Sequence, residues 1–231
     1  MMKDLESLQA KLGYRFGDPD LLDKALTHRS AGRYNYERLE FLGDAALGLV
    51  VAAELFERFP DYREGELSRL RASLVRKTTL AELARELELG EHVRLGSGEL
   101  KSGGYRRDSI LADVLEAILG AVYLDGGFEA ARTLVLRLYA ERFETLPTAA
   151  ELKDPKTRLQ EFLQARQLEL PEYNVIAVHG EPHAQTFDVE CHIPALGQRV
   201  RASGRSRRKA EQQAAAAMLA RLEADPAATR A

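Results

Sequence analysis

The spacing of apolar residues divides the chain into two regimes. Up to about residue 144 they recur at intervals of three and four, and no alternating run appears; beyond Pro171 the interval becomes two. The first regime predicts helices only. A short amphipathic start is followed by DLLDKALTH behind the Asp18-Pro19 opening, a side-chain cap and a proline suited to a first turn. A long helix through Leu39 to Ala53 runs to about Arg58 and breaks at Phe59-Pro60-Asp61. EGELSRLRASLV and KTTLAELARELEL follow, with Gly90 as the expected stop. Ile110 to Leu124 ends at Asp125-Gly126-Gly127, and Phe128 to Glu144 makes one more amphipathic helix. The glycine-rich LGSGELKSGGYRRDSI lacks the GKS/T ending and the preceding strand of a phosphate-binding loop, so it reads as a flexible connector.

The second regime begins with a helix, LQEFLQARQL. Strands are then expected at 173–178, at 187–193, where Phe187, Val189, Cys191 and Ile193 alternate with Asp188, Glu190 and His192, and at 199–202. After the Gly204 turn, SRRKAEQQAAAAMLARL has helical composition. The order is α-β-β-β-α. The expected layout is an all-α domain at 1–146, a linker at 147–153, a small α+β domain at 154–223 and a disordered tail at 224–231.

Two helices of the first domain are anomalous. LEFLGDAALGLVVAA at 39–53 is apolar nearly all round and should be buried, yet it carries Glu40 and Asp44; ILADVLEAILGAVYL at 110–124 likewise carries only Asp113 and Glu116. Glu37, Glu40 and Asp44 share an arc of roughly 60°, opposite Leu39, Leu42, Ala46, Leu49 and Ala53, and Asp113 and Glu116 also share a face. Buried carboxylates require neutralisation, and neither stretch holds a Lys or Arg. If the helices pack together, the four acids form an all-oxygen cluster suited to a hard ion such as Mg²⁺. Capping of neighbouring helices, or Arg brought from elsewhere, is the alternative. Arg106 and Arg107, just before the second acidic helix, could contact a nucleic-acid backbone or neutralise the cluster while metal is absent.

Composition narrows the partners. A net charge of -3 and a pI near 6.0 exclude a uniformly basic coat, so any polyanion contact is local. The local site is the run Arg199, Arg201, Arg205, Arg207, Arg208 and Lys209, which contains no acid, the last three opening a helix where cations oppose the dipole unless phosphate neutralises them. A single cysteine excludes an internal disulfide and suits a reducing compartment. With neither a signal-like start nor an apolar run of ~20 residues, a cytoplasmic location is the default.

ERLEFLGDAAL at 37–47 resembles the signature motif of the ribonuclease III family, double-strand-specific endoribonucleases, and ADVLEA at 112–117 resembles that family's second acidic motif. ALTHRS, EGELSRLRASLV and the C-terminal third match as well, and GRSRRKAEQQAA resembles the double-stranded RNA-binding domain. Ala45 stands where the family usually has Ser. The resemblance implies an all-α endonuclease domain followed by a small α+β double-stranded RNA-binding domain. It implies one or two Mg²⁺ ions per site, with Mn²⁺ as a substitute, held by Glu40, Asp44, Asp113 and Glu116. Asp44 and Glu116 would be catalytic, with Glu37 and Glu64 accessory. Thr157, Gln160, Glu161 and His183 would face minor grooves while Arg207, Arg208 and Lys209 span phosphates between them. Products would carry 5′-phosphate and 3′-hydroxyl ends, from ribosomal RNA precursors and structured messages. One acidic motif per chain implies a homodimer for cutting both strands, with Phe41 as an interface candidate and no organic cofactor. A non-catalytic duplex-binding regulator, or a helical interaction protein with structural acids, stays open.

Overall fold

The computed structural model describes residues 5–148, 151–181 and 184–224, and the chain forms two compact units divided between residues 149 and 150. The first is helical: α1 Leu5–Leu12, α2 Pro19–Ala25, α3 Glu37–Arg58, α4 Glu64–Leu74, α5 Lys77–Glu86, α6 Ser97–Lys101, α7 Asp108–Leu138 and α8 Ala140–Glu144. Local chemistry sets several ends. Asp18 accepts the Asp20 amide ahead of Pro19, and Glu66 accepts the Arg63 amide at the start of α4. Gly127, at φ 78°, kinks α7 where the sequence places a boundary, and Tyr139 separates α7 from α8 within the expected helix 128–144.

α3 and α7 form the centre. Ile110 to Val122 is buried except at Asp113, so α7 is enclosed on all sides along this stretch. α3 is not, contrary to its nearly uniform apolar sequence. It buries Leu39, Gly43, Ala46, Leu47, Val50, Val51 and Leu55 but exposes Phe41 (81%), Leu49 (58%) and Phe56 (71%). The helix expected to be buried all round is therefore buried on one side only, about a quarter turn from the stripe Leu39, Leu42, Ala46, Leu49 and Ala53, because the inward side is chosen by glycine. A Cβ on Gly43 would lie 1.7 Å from the Glu116 carbonyl oxygen, and one on Gly120 would lie 2.1 Å from that of Leu39. The two helices thus meet backbone to backbone, an approach only glycine allows. Around this crossing each buried Leu or Val contributes about 1.5–3 kcal/mol.

Two other expectations change. α5 ends before Gly90: Glu88 takes the left-handed conformation at φ 57°, and Gly90 instead admits Tyr105, whose carbonyl oxygen would stand 2.3 Å from a Cβ there. The glycine-rich connector is built, with α6 and a 3-10 turn at Gly104–Arg106. Its Gly96 amide donates to Ser30 Oγ at 2.9 Å. Ser30 Oγ lies 2.7 Å from Nδ1 of His28, which is buried and also accepts the Ser30 amide. His28 is thus a structural tie between segments.

In the second unit α9 Pro155–Gln164 and α10 Arg207–Ala224 pack on an antiparallel sheet, β1 Glu172–His179, β2 Thr186–Ile193 and β3 Gln198–Gly204, in order β1-β2-β3. Alternation on β2 sends Val189, Cys191 and Ile193 into the core, where Leu159, Leu163, Ala214, Ala215, Met218 and Leu222 meet the latter two. Phe187, expected with them, is half-buried because it lies towards the sheet end opposite Gly204. Burial pushes the Cys191 thiol up to about 11, which leaves it inert at neutral pH. Residues 225–231, most of the expected tail, lie outside the described residues.

Candidate active site

The glycine crossing determines where the acids meet. Glu40 precedes Gly43 by one turn and Glu116 precedes Gly120 by one turn, so both carboxylates emerge beside the crossing. One carboxylate oxygen from each of Glu40, Asp113 and Glu116 lies within 4.8 Å of the others. Glu116 is only 8% exposed, whereas Glu40 and Asp113 are half-buried. Asp44 is exposed and stands outside this trio, yet its charge acts on Glu116 more strongly than that of any other neighbour. Glu37 is exposed, 3.6 Å from Arg29. Glu64 opens α4 and accepts Ser68 Oγ at 2.7 Å, apart from the trio.

Burial, reinforced by Asp44, Asp113 and Glu40, raises the Glu116 carboxyl to about 8. Burial and then Asp113 also push Glu40 upward. The cation on the cluster comes from α5: Lys77 Nζ donates to Asp113 Oδ1 at 3.0 Å. Arg106 and Arg107 do not reach it. Arg107 pairs with Glu99 and Arg106 lies over the Tyr105 ring, because the turn at Gly104–Arg106 points them elsewhere. The expectation that these arginines neutralise the acids is thus corrected. Lys77 escaped notice because its only sequence signal is weak: a cation in a helical first turn that contains no acid.

The donor set fits a hard divalent ion. It is all carboxylate oxygen, one member is buried, and among the described residues no side-chain donor hydrogen-bonds the carboxylate of Glu40 or Glu116, while Lys77 takes Asp113. A pH dependence follows. In the unfolded chain Glu116 titrates near its ordinary value of 4.5, in the fold near 8. The folded state therefore holds the extra proton between these limits, and its stability declines as pH rises through that window. Thermal melts of the metal-free protein should show Tm falling between about pH 5 and pH 8 and levelling off above, with Mg²⁺ or Mn²⁺ removing the decline. A flat profile would contradict a carboxyl so displaced.

The second unit presents a separate surface. Thr157, Gln160 and Glu161 lie on the exposed side of α9, with Glu161 paired to Lys153. Gln164, one turn beyond Gln160, is exposed on the same side. His183 lies outside the described residues. The basic run is less naked than its sequence. Glu190 pairs with Arg199 and Arg201 at 2.9 and 3.0 Å, and Glu211 with Arg207 and Lys156 at 2.8 and 2.6 Å. Asp154 lies 3.9 Å from Arg208. Acids from other elements and one helical turn onward thus support the cations from beneath, while Arg207, Arg208 and Lys209 stay exposed.

Comparison with known proteins bears on both surfaces. Residues 18–143 match the ribonuclease-III-like family and residues 155–222 the double-stranded RNA binding motif. The chain is 62% identical over 227 residues to Ribonuclease 3 of Nitrosococcus oceani, covering 97% of each chain. It is 59% identical over 222 residues to Ribonuclease 3 of Pseudomonas fluorescens, covering 96% of this chain and 97% of the relative. Among solved structures, the nuclease domain of ribonuclease III from Campylobacter jejuni superposes with a TM-score of 0.60 at 48% identity, covering 63% of this chain and all of that one. A related structure of the Campylobacter domain is described as flexible in a region involved in dimer formation. With full-length relatives, both family matches and an acidic cluster between the two motif-bearing helices, the chain belongs to the ribonuclease III family of double-strand-specific endoribonucleases.

Proposed function

We propose that the chain hydrolyses phosphodiester bonds of double-stranded RNA with Mg²⁺, Mn²⁺ substituting, at the site built by Glu40, Asp44, Asp113 and Glu116. The observation that carries this is the trio of carboxylate oxygens within 4.8 Å of one another on two helices held together by facing glycines. Bound there, one or two ions would supply Lewis acidity toward the phosphodiester and the hydrolytic water. Glu40, Asp113 and Glu116 hold and orient; Asp44, exposed at the edge, is placed to receive a proton or complete the ligand set. Glu37 and Glu64 contribute negative potential from outside. Asp44 and Glu116 are the groups on which turnover depends most, and products carry 5′-phosphate and 3′-hydroxyl ends.

In this proposal residues 1–146 cut, 147–153 link, and 154–223 bind the duplex. Thr157, Gln160, Glu161 and His183 read the minor grooves; Arg207, Arg208 and Lys209 take phosphates, and Arg106 and Arg107 add backbone contacts. Two clusters are required to cut both strands, and the exposed apolar side of α3, Phe41, Leu49 and Phe56, adjoining Asp44, supports a homodimer. No described helix is long and apolar enough to cross a membrane; action in the cytoplasm on ribosomal RNA precursors and structured messages completes the proposal.

The test is incubation with long duplex RNA. Mg²⁺-dependent conversion to short duplexes with 5′-phosphate ends is expected; intact duplex retained on the protein in Mg²⁺ and in Mn²⁺ would identify a binding regulator instead. Reversing charge in the double variant R207E/R208E should weaken duplex binding and reduce the slope of log affinity against log salt by about one unit per lost phosphate contact. An unchanged slope would remove these residues from the surface.

A further inference from the structure

We propose that Lys77 is a tethered counter-cation of the metal-free acidic cluster, displaced from Asp113 when a divalent ion enters and acting against that ion's affinity. This rests on Glu40, Asp113 and Glu116 being the metal ligands.

Three observations support it. First, Lys77 Nζ hydrogen-bonds Asp113 Oδ1 at 3.0 Å, and its charge also acts on Glu40 and Glu116. It therefore supplies the positive charge that the two acidic helices lack. Second, it is the first residue of α5, where a cation opposes the helix dipole, and no acid in that first turn offsets it. The position is unfavourable for its own helix and is compensated across the gap by Asp113. Third, the contact is exchangeable. The Lys77 side chain is 63% exposed and holds Asp113 through one hydrogen bond, whereas Glu190 is clamped by two arginines, one on each oxygen.

A flexible ammonium on a single bond can swing into solvent at little cost. A doubly charged ion entering the same cluster repels it, and in a water-like dielectric with salt that repulsion corresponds to about three- to tenfold in affinity. Lys77 thus steadies the empty site and sets a threshold for filling it.

The experiment uses the full chain without RNA and Mn²⁺ alone as probe, followed by calorimetry or electron paramagnetic resonance. K77Q should bind Mn²⁺ about three- to tenfold more tightly than the parent. K77R, which keeps the charge, should bind like the parent. In EDTA the melting temperature of K77Q should lie below the parent's, and at saturating Mn²⁺ the difference should vanish. Unchanged or weaker Mn²⁺ binding by K77Q would overturn the proposal, as would an equal loss of Tm in EDTA and in Mn²⁺, the mark of a merely structural contact. A parent protein that binds no Mn²⁺ would instead refute the ligand assignment on which the proposal stands.

Discussion

Glutamine in place of Glu116 should leave duplex binding within about twofold of the parent and lower the single-turnover cleavage rate by at least about a thousandfold, equivalent to about 4 kcal/mol of transition-state stabilisation. The shapes are nearly identical, so packing against α3 is kept. What changes is charge: a neutral amide offers one acceptor oxygen and two donors where the cluster presents a carboxylate. Glu116 is the most buried member of the trio, so its place is the one that solvent or a neighbouring carboxylate can least take. The double-stranded RNA binding motif matched at residues 155–222 lies in the other unit and is untouched. The same change removes a carboxyl that burial has raised to about 8. The metal-free variant should therefore melt higher than the parent above about pH 8, by several degrees. A protein that folds better and cuts worse separates a functional role from a structural one. Gel shift in Ca²⁺ or EDTA, cleavage in Mg²⁺ and melts across pH make the three measurements. Undiminished cleavage would remove Glu116 from the site.

How far the sequence discloses this site depends on which property is asked of it. Periodicity located α3, α4, α5 and α7 because apolar spacing and end signals such as Asp18-Pro19 are local, and the switch to alternation located β2 for the same reason. Four acids in apolar context were legible as a problem needing a solution. Which side of α3 faces α7 was not legible, since two of its sides are apolar and only the partner's shape chooses between them. Gly43 and Gly120 were the available signal. A glycine inside a helix costs about 1 kcal/mol relative to alanine, which makes each one a candidate for close packing. Long-range pairing was hidden altogether: Lys77 finds Asp113 across 36 residues, and Glu190 and Glu211 come under arginines that form an acid-free run in one dimension.

Alanine at Gly43 should disable the site without touching any carboxylate. Its Cβ would stand 1.7 Å from the Glu116 carbonyl oxygen, 2.6 Å from the attached carbon and 2.9 Å from the Gly120 nitrogen. All three are backbone atoms in the middle of a buried helix, so no side-chain rotation relieves the overlap. The helices must separate, at a cost of about 1–3 kcal/mol or more for overpacking, and Glu40 moves away from Asp113 and Glu116 as they do. Because hard-ion sites depend on ligand positions to a few tenths of an ångström, Mn²⁺ affinity and cleavage should both fall by at least about a hundredfold. Tm should drop by several degrees with helical circular dichroism retained. Gly98 supplies the control: it is also helical, but a Cβ there meets nothing within 4 Å. Alanine at Gly98 should be neutral or stabilise by up to about 1 kcal/mol. Gly120→Ala should reproduce the Gly43 phenotype from the other helix, since its Cβ would meet the Leu39 carbonyl oxygen at 2.1 Å. Parent-like Mn²⁺ binding in both Gly43→Ala and Gly120→Ala would show that the acids do not owe their convergence to this crossing.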